Sequence, residues 1–126
     1  MRIAVCDDNK NDRIELCELL KIVWPGTEFF LFDDGQDLLA QIDVGETYDL
    51  VFLDIFMQKI GGMEAGKKIR EFHPEMEIVL VSISREFGPE AFELNAFYYL
   101  VKPYQKELLW KIKERFQKKV VSKLTI

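Results

Sequence analysis

The sequence is poor in the residues that disulfide frameworks and histidine- or cysteine-rich metal sites require. It contains one histidine, His73, and two cysteines, Cys6 and Cys17, which lie in apolar surroundings and form no Cys-x-x-Cys pair. This pattern indicates buried free thiols in a reducing compartment. No apolar stretch approaches the roughly 18 residues of a membrane span, and the N-terminus opens in a strand pattern without a signal peptide. We therefore expect a cytoplasmic protein with no membrane partner.

An excess of positive charge is also missing. The net charge is −5, which argues against nucleic-acid binding by this segment through a broad electrostatic surface. The length of 126 residues fits one domain, and a chain of this size buries enough apolar surface to fold without disulfides. A content of 48% hydrophobic and 31% charged residues is that of a globular protein.

Apolar runs alternate with segments of helical periodicity along the chain. Strands are predicted at 2–6, 28–32, 49–53, 78–81 and 97–101, and the last helix is predicted over about 105–119. The runs at 49–53 and 78–81 are almost continuously apolar, as expected for strands covered on both faces. This alternation predicts an α/β fold, a doubly wound (βα)5 unit with a five-stranded parallel sheet and right-handed crossovers.

Polar side chains follow four of the five predicted strands. The first strand ends on Asp7 and Asp8, the third on Asp54, the fourth on Ser82 and the fifth on Lys102. The carboxyl ends of parallel strands meet at one edge of the sheet, where open α/β sheets bind their ligands. We therefore expect these residues to form one site.

The chemistry of this set suits phosphoryl transfer. Carboxylates that lie close together repel one another unless a cation joins them, and oxygen ligands suit Mg²⁺. An aspartate can act as a nucleophile and form an acyl phosphate. Lys102 and Ser82 would then neutralise and hydrogen-bond phosphoryl oxygens, which is most of what phosphoryl transfer needs.

Five features of the sequence together form a recognisable pattern: VCDDN at 5–9, DLVFLDIFM at 49–57, GG at 61–62, Ser82 and FYYLVKPY at 97–104. With this pattern the chain resembles the receiver domain of bacterial two-component response regulators, a flavodoxin-like fold. The resemblance covers residues 1 to about 119, and leaves 120–126 as a C-terminal tail or the start of a linker to a missing output domain. The segment EAFELNAFYYLVKP also resembles receivers that precede a LytTR-type DNA-binding domain.

The resemblance implies a role for each matching residue. Asp54 is the expected phosphoacceptor, and Mg²⁺ (or Mn²⁺) is expected on Asp7, Asp8, Asp54 and the backbone carbonyl of Phe56. Ser82 is expected to act as the switch hydroxyl, Tyr99 as the switch aromatic and Lys102 as the conserved-type lysine, with a cis bond before Pro103. The chain would be a signalling switch rather than an enzyme, with self-catalysed phosphoryl uptake and slow autodephosphorylation only.

The resemblance also implies partners. A sensor histidine kinase is the expected phosphodonor, and the fourth helix, fifth strand and last helix form the expected output surface, which could serve for homodimerisation. DNA would be contacted only through the missing output domain, giving transcription regulation. The alternative within the family is a stand-alone receiver that acts by protein–protein contact.

Two other classes share this architecture. A Mg²⁺-dependent phosphohydrolase with an aspartate nucleophile normally carries a second acid two residues later, where this chain has Phe56. A flavin- or nucleotide-binding module should have a glycine- or hydroxyl-rich loop after the first strand, where this chain has DDNKND.

The chain also departs from the common receiver pattern at Phe56, Gln58, Ile83 and Tyr98. Phe56 and Ile83 are bulky, and we expect them to narrow access to Asp54. They would thereby slow both phosphoryl uptake from small donors and hydrolysis.

Overall fold

The structure is a computed structural model that describes residues 1–124. Five parallel strands form one sheet in the order β2-β1-β3-β4-β5. The neighbouring strands pair in register, with Ala4 opposite Val51 and Val51 opposite Ile78. The predicted five-stranded parallel sheet is thereby confirmed. The strands are β1 (Arg2–Cys6), β2 (Glu28–Phe32), β3 (Leu50–Asp54), β4 (Glu77–Ser82) and β5 (Tyr98–Val101).

A helix follows each strand, and side chains at the helix starts explain where two of them begin. The Asn9 side chain accepts a hydrogen bond from the Asp12 amide, and the Asp34 side chain accepts one from the Asp37 amide. Each cap satisfies a backbone donor that the first helical turn leaves free. The helices are α1 (Lys10–Val23), α2 (Gly35–Asp43), α3 (Gly62–Phe72), α4 (Gly88–Glu93) and α5 (Lys106–Leu124).

The core consists of two apolar layers, one on each face of the sheet. On one face, side chains such as Phe52 of β3 pack with α1 and α5 residues that include Leu20 and Ile112. On the other face, Leu53 packs with residues of α2, α3 and α4, among them Leu38 and Ile69. Because alternate residues of a central strand point to opposite faces, both Phe52 and Leu53 are fully buried. This explains the continuous apolar run of β3.

The last helix is longer than the sequence indicates. It was predicted to end near Lys119 but continues to Leu124, so most of the predicted tail is helical, and residues 125 and 126 lie outside the described residues. The Lys119 ammonium lies 2.6 Å from the Glu77 carboxylate at the start of β4, which ties this part of α5 to the sheet. The domain boundary at 119 stays a prediction. Within residues 1–124, no helix is long and apolar enough to cross a bilayer.

Candidate functional site

The predicted site residues meet at the carboxyl edge of the sheet around the ammonium of Lys102. Its Nζ lies 2.7 Å from Asp54 Oδ2, 3.1 Å from Asp7 Oδ2 and 2.7 Å from Asp12 Oδ2. The Lys102 side chain is only 14% exposed. Since an ammonium has three protons to donate, these three carboxylates use its full donor capacity. The site is thus a half-buried lysine enclosed by acids from β3, from the loop after β1 and from the first turn of α1.

Backbone amides orient the two buried carboxylates. Asp54 Oδ1 accepts a hydrogen bond from the Phe56 amide at 2.8 Å, which leaves Oδ2 directed at Lys102. Asp7 Oδ1 accepts from the Asn9 amide at 2.9 Å in the same way. Each aspartate therefore has one carboxylate oxygen held by a backbone amide of its own loop and the other facing the Lys102 ammonium.

Burial and charge act against each other at these groups. Burial raises the pKa of Asp7 to about 6, although the hydrogen bond from the Asn9 amide and the charge of Lys102 act in the opposite direction. Burial by itself lowers the pKa of the Lys102 ammonium, but the hydrogen bonds to Asp12 and Asp54 outweigh it and hold this pKa above its usual range. The lysine therefore stays positively charged at neutral pH.

Asp8 lies at the solvent side of the same edge. Its side chain is exposed, and its Oδ2 accepts a hydrogen bond from the Gln58 amide at 3.2 Å. This contact joins the loop after β1 to the loop after β3.

The donor set fits a hard divalent cation. It consists of oxygens only, which are the ligands that Mg²⁺ prefers. The space between Asp7 and Asp54 already accommodates one positive charge, the Lys102 ammonium. The predicted carboxylates are therefore chemically suited to Mg²⁺.

A second group of acids lies away from this site. Within residues 1–124, the one group of three carboxylates whose oxygens all approach within 4.8 Å of one another is Asp33, Asp34 and Asp37. Asp34 caps α2, and Lys59 lies 3.6 Å from its carboxylate. The capping hydrogen bond donated by the Asp37 amide lowers the pKa of Asp34. The helix cap and the ion pair with Lys59 thus give the cluster of Asp33, Asp34 and Asp37 a structural role.

Ser82 and Tyr99 contact the same residue from two sides. The Ser82 hydroxyl is buried at the end of β4 and accepts a hydrogen bond from the Ser84 amide at 3.1 Å. The Tyr99 hydroxyl donates to the Ser84 carbonyl at 2.5 Å. Tyr99 lies on the α4 side of β5, whereas Tyr98 faces α5 and the guanidinium of Arg115. The structure thus connects both predicted switch residues through the loop after β4.

The two bulky residues that were expected to narrow access to Asp54 differ in their surroundings. The ring of Phe56 lies 5.3 Å from the ring of Phe87 in an edge-to-face arrangement and remains half exposed. Ile83 is 74% exposed. Phe56 therefore bridges the loops after β3 and β4, while Ile83 lies at the surface beside Ser82.

Sequence reasoning did not find two residues of the site. Asp12 was overlooked because it lies within a helix rather than at a strand end. Tyr104 follows the Lys102–Pro103 bond, which is cis as predicted. Its hydroxyl is buried and has no hydrogen-bond partner among residues 1–124, and burial raises its pKa. The aromatic directly after Lys-Pro was an available signal for Tyr104, whereas Asp12, an acid in the first turn of α1, carries no such signal.

Comparison with known proteins places this architecture in one family. Residues 3–113 match the family described as the response regulator receiver domain. The chain is 31% identical over 109 residues to the sensory transduction protein LytR of Staphylococcus haemolyticus, covering 85% of this chain and 41% of that protein. It is also 31% identical over 126 residues to the transcriptional regulatory protein YpdB of Escherichia coli K12, covering 97% of this chain and 51% of YpdB.

A solved structure agrees with the fold. The response regulator TrrA of Thermotoga maritima, in complex with Mg²⁺-BeF, has a TM-score of 0.80 and 30% identity, covering 91% of this chain and 97% of TrrA. The chain spans about half the length of the curated relatives it matches.

Proposed function

The chain belongs to the response regulator receiver domain family of two-component signalling, and on that premise we propose that it accepts a phosphoryl group on Asp54. The observation that carries the proposal is the contact of the half-buried Lys102 with the buried carboxylates of Asp54 and Asp7. A lysine held 2.7 Å from the nucleophilic carboxylate is placed to neutralise charge on a transferred phosphoryl group. The three residues come from the ends of three different strands.

Asp54 is the group that reacts. A sensor histidine kinase would present a phosphohistidine, and Asp54 Oδ2 would attack its phosphorus. An oxygen–phosphorus bond forms and the phosphorus–nitrogen bond breaks, which leaves an acyl phosphate on Asp54 and returns the electron pair to the imidazole. The hydrogen bond from the Phe56 amide holds the other oxygen and thereby the direction of the reactive one.

Asp7, Asp8 and Asp54, with the Phe56 carbonyl, would hold Mg²⁺ (or Mn²⁺). The ion would supply charge neutralisation at phosphoryl oxygens. TrrA in complex with Mg²⁺-BeF supports this assignment by its similarity. Asp8 is exposed, so it can exchange its hydrogen bond with the Gln58 amide for another partner.

Ser82 and Tyr99 would transmit the signal. Phosphorylation adds charge near Asp54, which would draw the Ser82 hydroxyl toward the phosphoryl group. Because the Ser82 hydroxyl now accepts from the Ser84 amide and Tyr99 donates to the Ser84 carbonyl, a change at Ser82 reaches Tyr99 through one residue. Full switching from 1:99 to 99:1 requires about 5.5 kcal/mol of preference for the active arrangement.

The surface formed by α4, β5 and α5 would present the output. Tyr99 lines a groove of about 340 Å³ on this surface together with Phe92 of α4. A groove at this position supports the proposal that this surface binds a second copy of the chain or an attached domain. Since the chain spans about half of LytR and YpdB, we propose that it serves transcription regulation in the cytoplasm through a DNA-binding domain outside this sequence. A stand-alone receiver is the alternative.

Asp54→Asn tests the acceptor. Incubated with acetyl phosphate and Mg²⁺, the unaltered chain should gain the mass of one phosphoryl group, and Asp54→Asn should gain none because the amide is not a nucleophile. Asp43→Asn, a surface substitution at the end of α2, is the matched control and should behave as the unaltered chain. A phosphoryl gain in Asp54→Asn would refute the assignment, as would no gain in the unaltered chain.

A further inference from the structure

Asp12 makes a contact that the proposed phosphoacceptor chemistry does not use. Its Oδ2 lies 2.7 Å from Lys102 Nζ, as close as Asp54 and closer than Asp7. Asp12 belongs to α1, and its amide is fixed by the capping side chain of Asn9 at 3.0 Å. The contact therefore joins the first turn of α1 to the end of β5, 90 residues away in sequence.

The three acids around Lys102 differ in their other tasks. Asp7 and Asp54 contribute to the proposed metal site with the same carboxylates that contact the ammonium. Engagement of these carboxylates by a divalent cation weakens their hold on a neighbouring positive charge. Asp12 lies outside the proposed metal-binding residues, and its carboxylate stays available to the lysine.

We propose that Asp12 is a positioning residue that keeps the Lys102 ammonium in the site when Asp7 and Asp54 are engaged elsewhere, an inference that rests on the proposed function. The Lys102 ammonium lies at the end of a flexible four-carbon side chain, and without the Asp12 carboxylate it would turn toward solvent. Asp12 touches neither the nucleophile nor the leaving group. It acts through the lysine, at the moment when the lysine is required at the phosphoryl group.

Asp37→Asn provides the matched control for Asp12→Asn. Both aspartates lie three residues after a capping side chain that accepts from their own amide, Asn9 for Asp12 and Asp34 for Asp37. Both substitutions therefore remove the same helix-terminal charge. Of these two aspartates, only Asp12 contacts Lys102, so a difference between the two variants reports the contact.

The first measurement observes the ammonium without any phosphodonor. Nitrogen-detected NMR of Lys102 Nζ reports how fast its protons exchange with water, first without metal and then during Mg²⁺ titration. Loss of one charge-assisted hydrogen bond corresponds to about a tenfold increase in this exchange rate. With Mg²⁺ present, we expect the exchange rate to be about tenfold higher in Asp12→Asn than in the unaltered chain. The exchange rate in Asp37→Asn should be unaltered. Equal exchange in Asp12→Asn and the unaltered chain would overturn the proposal.

The second measurement is the phosphorylation rate with acetyl phosphate at saturating Mg²⁺. Asp12→Asn should be slower by about tenfold, and Asp12→Glu should recover part of the rate. In a Lys102→Met background, adding Asp12→Asn should change nothing further, because the residue it positions is gone. An equal further loss in that background would overturn the proposal. Absence of phosphorylation in the unaltered chain would instead refute the proposed function, while the NMR comparison still tests the anchor.

Discussion

Gly62, the first residue of α3, lies against the backbone of Asp54, the proposed phosphoacceptor, and its replacement by alanine should damage both stability and the site. A Cβ at this position would lie 2.3 Å from the Asp54 carbonyl oxygen and 2.8 Å from its carbonyl carbon. An ordinary carbon–oxygen contact is about 3.3 Å, so the helix and the strand end must separate by roughly 1 Å. Neither side can yield by a side-chain rotation, because both contacts are with backbone.

We expect Gly62→Ala to lower the free energy of unfolding by about 2–3 kcal/mol, the upper part of the usual cost of overpacking. Gly88 is the control, since it is also the first residue of a helix, α4, and a Cβ there meets no atom within 4 Å. Gly88→Ala should be neutral or stabilising by up to about 1 kcal/mol. Urea denaturation at pH 7 measures both variants.

The same displacement should reach the proposed chemistry. Asp54 carries both the backbone oxygen that the new Cβ would strike and the carboxylate that lies 2.7 Å from Lys102. A misplacement of about 1 Å can cost on the order of 100-fold in rate, so phosphoryl uptake should fall steeply in Gly62→Ala but not in Gly88→Ala. If Gly62→Ala stays within about 0.5 kcal/mol of Gly88→Ala in stability and keeps its uptake rate, the steric argument is wrong.

Two further substitutions test other parts of the structure. The Arg70 guanidinium donates hydrogen bonds to four backbone carbonyls, those of Leu94, Pro74, Met76 and Asn95. Arg70→Met should therefore lower the free energy of unfolding, measured by urea denaturation, by about 2–4 kcal/mol. The control is Arg115→Met, whose guanidinium lies over the Tyr98 ring, and a loss of stability in Arg70→Met no larger than in this control would contradict the prediction. Ile83→Ala should shorten the half-life of the phosphorylated chain by widening access to Asp54. Val44→Ala is the control, because Val44 is similarly exposed at the end of α2. An unchanged half-life in Ile83→Ala would show that Ile83 does not limit access to Asp54.

Much of the fold was predictable because its signals are local. The central residues of a strand covered on both faces, such as residues 78–81 of β4, appear as a continuous apolar run, and a helix cap such as Asp34 has to precede the first turn. The boundaries were less accurate. The α5 helix continues past Lys119, where an ion pair with Glu77 joins residues 42 positions apart, and no local pattern reports such a contact.

The sequence by itself determined the sheet and the edge at which Asp7, Asp54, Ser82 and Lys102 collect, because buried parallel strands must expose polar residues where they leave the core. The tertiary structure alone decided how these side chains meet. Lys102 contacts acids 48, 90 and 95 residues away, and the one on α1 has no marker in its own segment. An acid in a first helical turn is usually a surface charge, and only the tertiary contact of its carboxylate with Lys102 makes Asp12 part of the site.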